Sequence, residues 1–264
     1  MNYLSVSRVA FSIGSVDIYW YGVFITLAIL IAFILSFVLS KRRGLNENIS
    51  YEILIAIIPL GIICARLFSV IFEPDLTIAD YFAFRQGGMS IIGAIIGGAI
   101  GITILCLIKK YNFLAIADML VVVLILAQAI GRWGNFFNGE VYGQEILDST
   151  WQFFPFAVEI DGLYYEALFF YEFVLNLIGF VGLFCLFWFT KQKGLATGGY
   201  LVYYGLVRTI LEPRRQSEYI LKLGSLPISQ IMSIVMLIAG VIILTVAIVN
   251  IIKNKNNKGA KNEG

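Results

Sequence analysis

Seven apolar runs constrain this chain more than any other feature of its sequence. A helix of about 20 apolar residues crosses a hydrocarbon layer of about 30 Å. Of the 264 residues, 59% are hydrophobic and 14% are charged, which is too apolar for a water-soluble protein. The runs cover residues 18–39, 53–72, 89–108, 113–130, 167–190, 198–211 and 229–251. We therefore expect an all-α integral membrane protein with about seven transmembrane helices, of which the sixth is the shortest.

Basic residues collect in alternate connections between these runs, which predicts the orientation of the chain. Cytoplasmic loops are enriched in Lys and Arg. The residues in question are Lys41, Arg42, Arg43, Lys109, Lys110, Lys191, Lys193, Lys253, Lys255, Lys258 and Lys261. This pattern places the amino terminus outside and the carboxyl terminus in the cytoplasm. We expect the tail, 253–264, to be basic and disordered.

The residues that are missing exclude several classes of enzyme and binding protein. The chain has no histidine, and its three cysteines, Cys64, Cys106 and Cys185, are isolated within apolar runs. It therefore lacks a zinc-ligand set and a Ser-His or Cys-His pair. It also lacks a Walker A loop, a dinucleotide fingerprint and the aromatic-basic interleaving of nucleic-acid binders. We predict no metal, no cofactor and no nucleic acid.

Three glycines in the third run recur at every fourth position, at Gly93, Gly97 and Gly101. They share one face of a helix, and small residues at this spacing allow a neighbouring helix to approach closely. We favour helix packing over a ligand contact as their role.

Polar residues remain at the outer ends of three runs. Tyr21 lies just inside the first run. By itself, a tyrosine at this position is typical of an aromatic anchor at the membrane interface. The second group lies in the stretch GRWGNFFNGEVYG, 131–143, and consists of Arg132, Asn135, Asn138 and Glu140. The glycines between these residues permit a tight fold. The stretch also begins an outer loop, 131–166, that could cap the site. Arg208 and Glu212 lie four residues apart on one helical face. That pair could be structural or functional.

Two arginines at a membrane surface suit a phospholipid. A guanidinium offers bidentate hydrogen bonds to phosphate and stays charged. Arg132 and Arg208 therefore indicate an anionic lipid as the substrate.

The same residues carry a family resemblance. GRWGNFFNGEVYG resembles the signature of bacterial prolipoprotein diacylglyceryl transferases, which has the form GRxGNFxNxExxG. Five further segments resemble that family: WYG at 20–22, ARLFSVIFE at 65–73, GGMSIIGAIIG at 87–97, FFYE at 169–172 and YYGLVRTILEPRR at 203–215.

The resemblance implies a function, a location and a set of site residues. The family transfers the diacylglyceryl group of phosphatidylglycerol to the lipobox cysteine of a preprolipoprotein signal peptide, releasing glycerol 1-phosphate, at the outer leaflet of the bacterial plasma membrane. Residues 1–252 would form a single transmembrane catalytic domain. Seven positions match residues on which the family relies: Tyr21, Arg132, Asn135, Glu140, Gly143, Arg208 and Glu212. Tyr171 and Glu172 match its YE pair. This chain departs from the family at Ile92, where many relatives carry histidine and some tyrosine.

The reaction itself suggests a role for each residue. A thiol is only slightly ionised at neutral pH, and it must displace a phosphate ester from carbon. We expect Arg132 and Arg208 to hold the phosphate and stabilise its charge. Glu140 or Glu212 would accept the thiol proton, and the sequence leaves that choice open. Asn135, Asn138 and Gly143 would help to bind the substrate, with Asn135 orienting headgroup oxygens, while Tyr21 would donate a hydrogen bond.

Two other functions are compatible with the same basic site. One is a non-enzymatic membrane protein, such as a divergent paralogue or an anionic lipid transporter, although no internal repeat is evident. The other is a headgroup transferase that does not use a peptide thiol. Thioether formation on a lipobox peptide separates both from the main hypothesis.

Overall fold

Helices form most of this chain. The computed structural model describes residues 7–46, 48–72, 77, 81–82, 89–216, 222–223 and 226–262. The helices found there are α1 (Trp20–Arg43), α2 (Ile49–Phe72), α3 (Ile91–Lys109), α4 (Phe113–Asn138), α5 (Leu168–Phe189), α6 (Leu195–Leu211) and α7 (Ile228–Asn262). Within the described ranges, six are long and apolar enough to cross a membrane, and α6, with 17 residues, is shorter. The predicted class, an all-α membrane protein, is confirmed.

The strands form small hairpins, one before α1 and the others between later helices. Three antiparallel pairs occur in the described ranges: β1 (Val9–Ile13) with β2 (Val16–Tyr19), β3 (Ala157–Ile160) with β4 (Leu163–Glu166), and β5 (Lys222–Leu223) with β6 (Leu226–Pro227). In the first hairpin, apolar residues alternate with others, at Phe11 and Ile13 on β1 and at Val16 and Ile18 on β2.

The chain divides into two compact units. One is Ser36–Ile116, and the other combines Met1–Leu35 with Ala117–Gly264. The sequence predicted one domain over 1–252, because apolar runs at regular spacing carry no signal of a boundary.

In the unit Ser36–Ile116, α2 and α3 pack closely through the glycine face of α3. A Cβ built on Gly97 would lie 2.7 Å from the backbone carbon of Leu60, and one on Gly93 would lie 2.8 Å from the Cα of Ala65. Real side chains do not approach a backbone so closely, so only glycine fits. The predicted packing role of these glycines is confirmed.

In the other unit, a buried carboxylate ties α4 to the start of α6. Asp118 is completely buried, and it accepts hydrogen bonds from Gly194 N at 2.8 Å, Thr197 N at 2.9 Å and Thr197 Oγ1 at 2.7 Å. The first backbone N–H groups of a helix have no partner within it, and Asp118 supplies one. This contact joins the amino-terminal parts of α4 and α6, the helices that carry Arg132 and Arg208 near their other ends.

The outer loop begins later than the sequence predicted. Residues 131–138 are the last two turns of α4, so the predicted loop 131–166 is corrected to a cap over 139–167. The glycines at 131 and 134 are helical because α4 packs its aromatic residues, among them the buried Phe136, into the core. The chain turns at Gly139, whose φ is +67°.

The cap is held together by β3 and β4. The turn between these strands has positive φ at Asp161 and Gly162, a combination that suits a two-residue hairpin. Val158 and Phe169 pack together in the core beneath, and the hydroxyl of Tyr171 donates to Phe156 O at 2.8 Å. The cap therefore rests on the first turn of α5.

The last helix continues beyond the final apolar run. Helix α7 extends to Asn262, whereas the sequence predicted a disordered tail over 253–264. Extending an existing helix needs no new nucleation, and basic residues near a carboxyl end suit the helix dipole. Residues 263–264 lie outside the described ranges.

Candidate active site

Three arginines meet at one buried carboxylate near the cap-side ends of α4, α5 and α6. Glu172 is 1% exposed. Its Oε2 contacts Arg132 Nη2, while its Oε1 accepts from Arg215 Nη2 at 2.7 Å and from Arg208 Nη1 at 3.4 Å. Helix α5 thus brings together charges that the neighbouring helices carry.

A second carboxylate completes this group. Glu212 Oε2 lies 2.5 Å from Arg208 Nη2 and 3.6 Å from Arg215 Nε. We call these five residues the arginine cluster: Arg132, Glu172, Arg208, Glu212 and Arg215. Three guanidinium groups face two carboxylates, so the cluster has one positive charge in excess.

Four buried polar atoms of the arginine cluster have no hydrogen-bond partner among the described residues. Two of them, Glu212 Oε2 and Arg215 Nε, still lie in ion pairs. The other two are Arg132 Nε, a donor, and Glu212 Oε1, an acceptor. Buried polar groups are normally paired, so each unpartnered atom needs an explanation. An anionic ligand near Arg132 would supply one for the donor.

A chain of amides links Arg132 to Glu140. Arg132 Nη1 donates to Asn135 Oδ1 at 3.3 Å, and Asn135 Nδ2 donates to Glu140 Oε1 at 2.9 Å. Asn138 Nδ2 donates to the same oxygen at 3.3 Å. The turn at Gly139 permits this arrangement, since it returns Glu140 N to within 3.0 Å of Asn135 O.

Tyr21 lies against the same part of α4. A Cβ built on Gly134 would come within 2.7 Å of the Tyr21 ring, so a glycine is needed there for the tyrosine to fit. The phenol interacts electrostatically with both Glu140 and Arg132. The first turn of α1 therefore adds a hydroxyl to the site.

Gly143 lies in the cap and contacts Gln216, the residue that follows Arg215. Its N–H donates to Glu166 O at 2.9 Å, and its carbonyl accepts from Gln216 Nε2 at 2.9 Å. A Cβ on Gly143 would lie 2.6 Å from Glu166 Oε2. Glu166 in turn pairs with Arg214 at 2.9 Å. Gly143 therefore joins the cap to the segment that follows α6.

The cap also contains a charged turn. Asp148 accepts from the backbone N–H of Thr150 at 2.9 Å, and this hydrogen bond lowers the pKa of the aspartate.

The described residues hold no group of three or more His, Cys, Asp or Glu that could bind a metal ion.

Comparisons with known proteins agree on one family. The sequence model described as prolipoprotein diacylglyceryl transferase matches residues 8–246. Proteins named phosphatidylglycerol–prolipoprotein diacylglyceryl transferase are similar over most of their length. The one from Finegoldia magna is 37% identical over 242 residues, which is 90% of this chain and 94% of that protein. The one from Clostridium novyi is 36% identical over 262 residues, covering 95% and 98%.

A third relative, from Listeria monocytogenes serotype 4b, has the same name and is 35% identical over 242 residues, covering 88% of this chain and 87% of its own. The chain belongs to the prolipoprotein diacylglyceryl transferase family. The resemblance found in the motif GRWGNFFNGEVYG is thereby confirmed.

In this member of the prolipoprotein diacylglyceryl transferase family, the predicted site residues fall into three groups. Arg132, Asn135, Asn138 and Glu140 are linked to one another, and Arg208 is paired with Glu212. Tyr21 lies beside the first group, while Gly143 lies in the cap. The ion pair that the sequence suggested between Arg208 and Glu212 is present in the structure.

Two residues of the arginine cluster were not among the predicted site residues. Glu172 matched a family pair without an assigned purpose, and Arg215 was included only as the last residue of the family segment YYGLVRTILEPRR. The sequence held a signal for both, since a glutamate near the start of an apolar run and an arginine after Pro213 are costly near a membrane unless paired. It could not say that they pair with each other.

Proposed function

We propose that this chain transfers the diacylglyceryl group of phosphatidylglycerol to the cysteine thiol of a prolipoprotein, the first step of lipoprotein maturation. Family membership and the names of the relatives support this reaction. The convergence of Arg132, Arg208 and Arg215 on Glu172, with one positive charge in excess, is the observation that carries the proposal. A phosphodiester has one negative charge, which the arginine cluster would balance.

Arg132 and Arg208 bind the phosphate in this proposal. Arg132 has a buried Nε–H to offer, and both side chains are partly exposed, at 15% and 14%. Guanidinium groups form charge-assisted hydrogen bonds to phosphate oxygens. The same groups stabilise the negative charge that develops on the leaving group, which is often a large contribution to catalysis.

The bond changes follow from the substrates. The thiol sulfur attacks the carbon of the diacylglyceryl unit that bears the phosphate. As the S–C bond forms, the C–O bond breaks, and its electron pair stays with the phosphate oxygen. Glycerol 1-phosphate leaves, and the thiol proton passes to a carboxylate. The nucleophile belongs to the acceptor protein, so the chain itself needs none.

Glu140 is our candidate for the proton acceptor. Its Oε1 is held by the amides of Asn135 and Asn138, whereas Glu212 is engaged by Arg208. Glu212 is therefore already occupied by its ion pair with Arg208, which leaves Glu140 as the candidate. Asn135 and Asn138 would orient Glu140 and the headgroup, Tyr21 would donate to a headgroup oxygen, and Gly143 would keep the cap close to the site.

The reaction is proposed to occur at the outer leaflet of the bacterial plasma membrane. The distribution of Lys and Arg supports an outer amino terminus and a cytoplasmic carboxyl terminus. In this proposed topology the shorter α6 also crosses the membrane, and the ends of α4, α5 and α6 that flank the cap lie on the outer side. The acceptor would be a signal peptide with a lipobox cysteine, because its thiol must reach that surface.

The experiment that tests the proposal combines purified protein, phosphatidylglycerol and a lipobox peptide. Mass spectrometry should show a diacylglyceryl mass gain on the cysteine peptide and none on a matched serine peptide, with glycerol phosphate released. This result would also show that Ile92 is compatible with transfer. An intact, folded sample that gives no mass gain would contradict the proposal.

Matched arginine variants test the site. Arg132→Ala and Arg208→Ala should reduce transfer at least about 100-fold. Arg214→Ala is the control, because Arg214 is 56% exposed and pairs with Glu166 in the cap. If Arg132→Ala and Arg208→Ala were as active as Arg214→Ala, the assignment of the phosphate site would be wrong.

A further inference from the structure

Asn176 is a buried amide without a partner. It lies in α5 and is completely buried, yet neither Nδ2 nor Oδ1 has a hydrogen-bond partner among the described residues. An unpaired amide in an apolar interior costs free energy, and a leucine of similar size would not incur that cost. Polar groups held at such expense within a membrane are usually functional.

Its position relates it to the arginine cluster. Asn176 is four residues beyond Glu172 on the same face of α5, and side chains at this spacing are neighbours. Four residues of helix advance about 6 Å. The advance is away from the cap, toward the middle of the span. The amide therefore lies one helical turn deeper than the carboxylate that the three arginines share.

The two unpartnered atoms define what can bind. Nδ2 needs an acceptor and Oδ1 needs a donor. The ester of a diacylglycerol offers only acceptors, so it would satisfy Nδ2 and leave Oδ1 unpaired. A peptide group offers both an N–H and a carbonyl. A polypeptide is therefore the better match for both atoms.

We propose that Asn176 binds a backbone peptide group of the acceptor polypeptide, in the segment that precedes the acceptor cysteine. This inference rests on the proposed function, because it requires a peptide thiol to reach the phosphate site. An extended chain advances about 3.3 Å per residue, so 6 Å corresponds to about two residues before the cysteine.

Access to Asn176 depends on the packing beside the arginines. Arg132 and Arg208 are 15% and 14% exposed, and Glu172 is almost completely buried. Peptide binding therefore requires the packing beside these partly exposed arginines to open further when the substrates bind, far enough to expose Asn176 one helical turn away.

Peptides with a single ester in the backbone test the proposal. Replacing one amide bond by an ester removes the N–H and nearly preserves the shape. Three lipobox peptides would each carry one ester, placed at a different one of the three backbone bonds before the cysteine. With wild-type protein, kcat/KM should fall about 5- to 20-fold for one of them, because Oδ1 loses its donor.

The variant Asn176→Leu completes the comparison. It should be slower by a similar factor on the all-amide peptide and insensitive to the ester, as expected for two changes that remove one interaction. Its thermal unfolding temperature should be unchanged or higher. A lower unfolding temperature would make Asn176 a structural residue and overturn the proposal.

Other outcomes identify other occupants. Equal rates of the wild-type protein on all four peptides would overturn the proposal, whatever the variant does. Phosphatidylglycerol with ether-linked chains provides a second arm. If Asn176→Leu abolished a preference for ester over ether lipid, the partner would be the lipid and not the peptide. No transfer by the wild-type protein on the all-amide peptide would instead contradict the proposed function itself.

Discussion

Gly134 lies so close to Tyr21 that a Cβ built on the glycine would come within 2.7 Å of the tyrosine ring. The neighbouring Gly131 has more space, since the nearest atom to its Cβ would be 3.9 Å away. Both glycines belong to the last turns of α4, so they form a matched pair.

Gly134→Ala should therefore reduce transfer about 100-fold, since a displacement of about 1 Å in a site can have that effect. Gly131→Ala should retain activity, because alanine also favours the helix. Initial rates of transfer to a lipobox peptide provide the measurement. Equal activity of the two variants would show that the position of Tyr21 does not matter.

The buried ion pairs of Glu172 should contribute more to stability than an exposed pair. Glu172→Gln leaves three arginines near one another without their shared carboxylate, and breaking a buried pair costs about 3–5 kcal/mol. Glu166→Gln is the control, because its partner Arg214 is 56% exposed and such pairs contribute about 1 kcal/mol or less. Thermal unfolding in detergent measures both. Similar shifts in the two variants would contradict the prediction.

The sequence predicted the local parts of the candidate site. The pair Arg208 and Glu212 follows from a spacing of four residues. The site residues from Arg132 to Glu140 lie within nine consecutive positions, so their proximity is evident from the sequence. Glu172 and Arg215 come from other parts of the chain. Their pairing depends on how α5 and the end of α6 pack against α4, and no local pattern encodes it.

Glycine shows the same limit of sequence reasoning. The repeat at Gly93, Gly97 and Gly101 predicted a packing face, because one helical period is visible in the sequence. Gly134 was interpreted as part of a tight loop, whereas it is helical and makes room for Tyr21. A single glycine that allows close approach is indistinguishable from one that allows a turn until its neighbour is known.

Packing of α2 on α3 provides a third prediction. Gly97→Ala would place a methyl group against the backbone of Leu60, whereas the nearest atom to a Cβ on Gly98 is 3.6 Å away, an ordinary contact. Gly97→Ala should lower the free energy of unfolding by about 1–3 kcal/mol, as expected for overpacking. Gly98→Ala should be neutral or slightly stabilising. Unfolding in a mixed detergent tests this, and equal stability of the two variants would show that the helices can separate without loss.

The buried carboxylate of Asp118 provides the last prediction. Asp118→Ala leaves the N–H of Gly194 and both donors of Thr197 without their acceptor, and an unpaired buried donor costs about 1–3 kcal/mol. Thr197→Val removes one donor only and should cost about 1 kcal/mol.

The two changes share a contact, so their effects should not add in the double variant. Because Asp118 and Thr197 join the helices that carry Arg132 and Arg208, we also expect Asp118→Ala to lower kcat at temperatures where the protein remains folded. Full kcat at those temperatures would mean that the distant ends of α4 and α6 are positioned by other contacts.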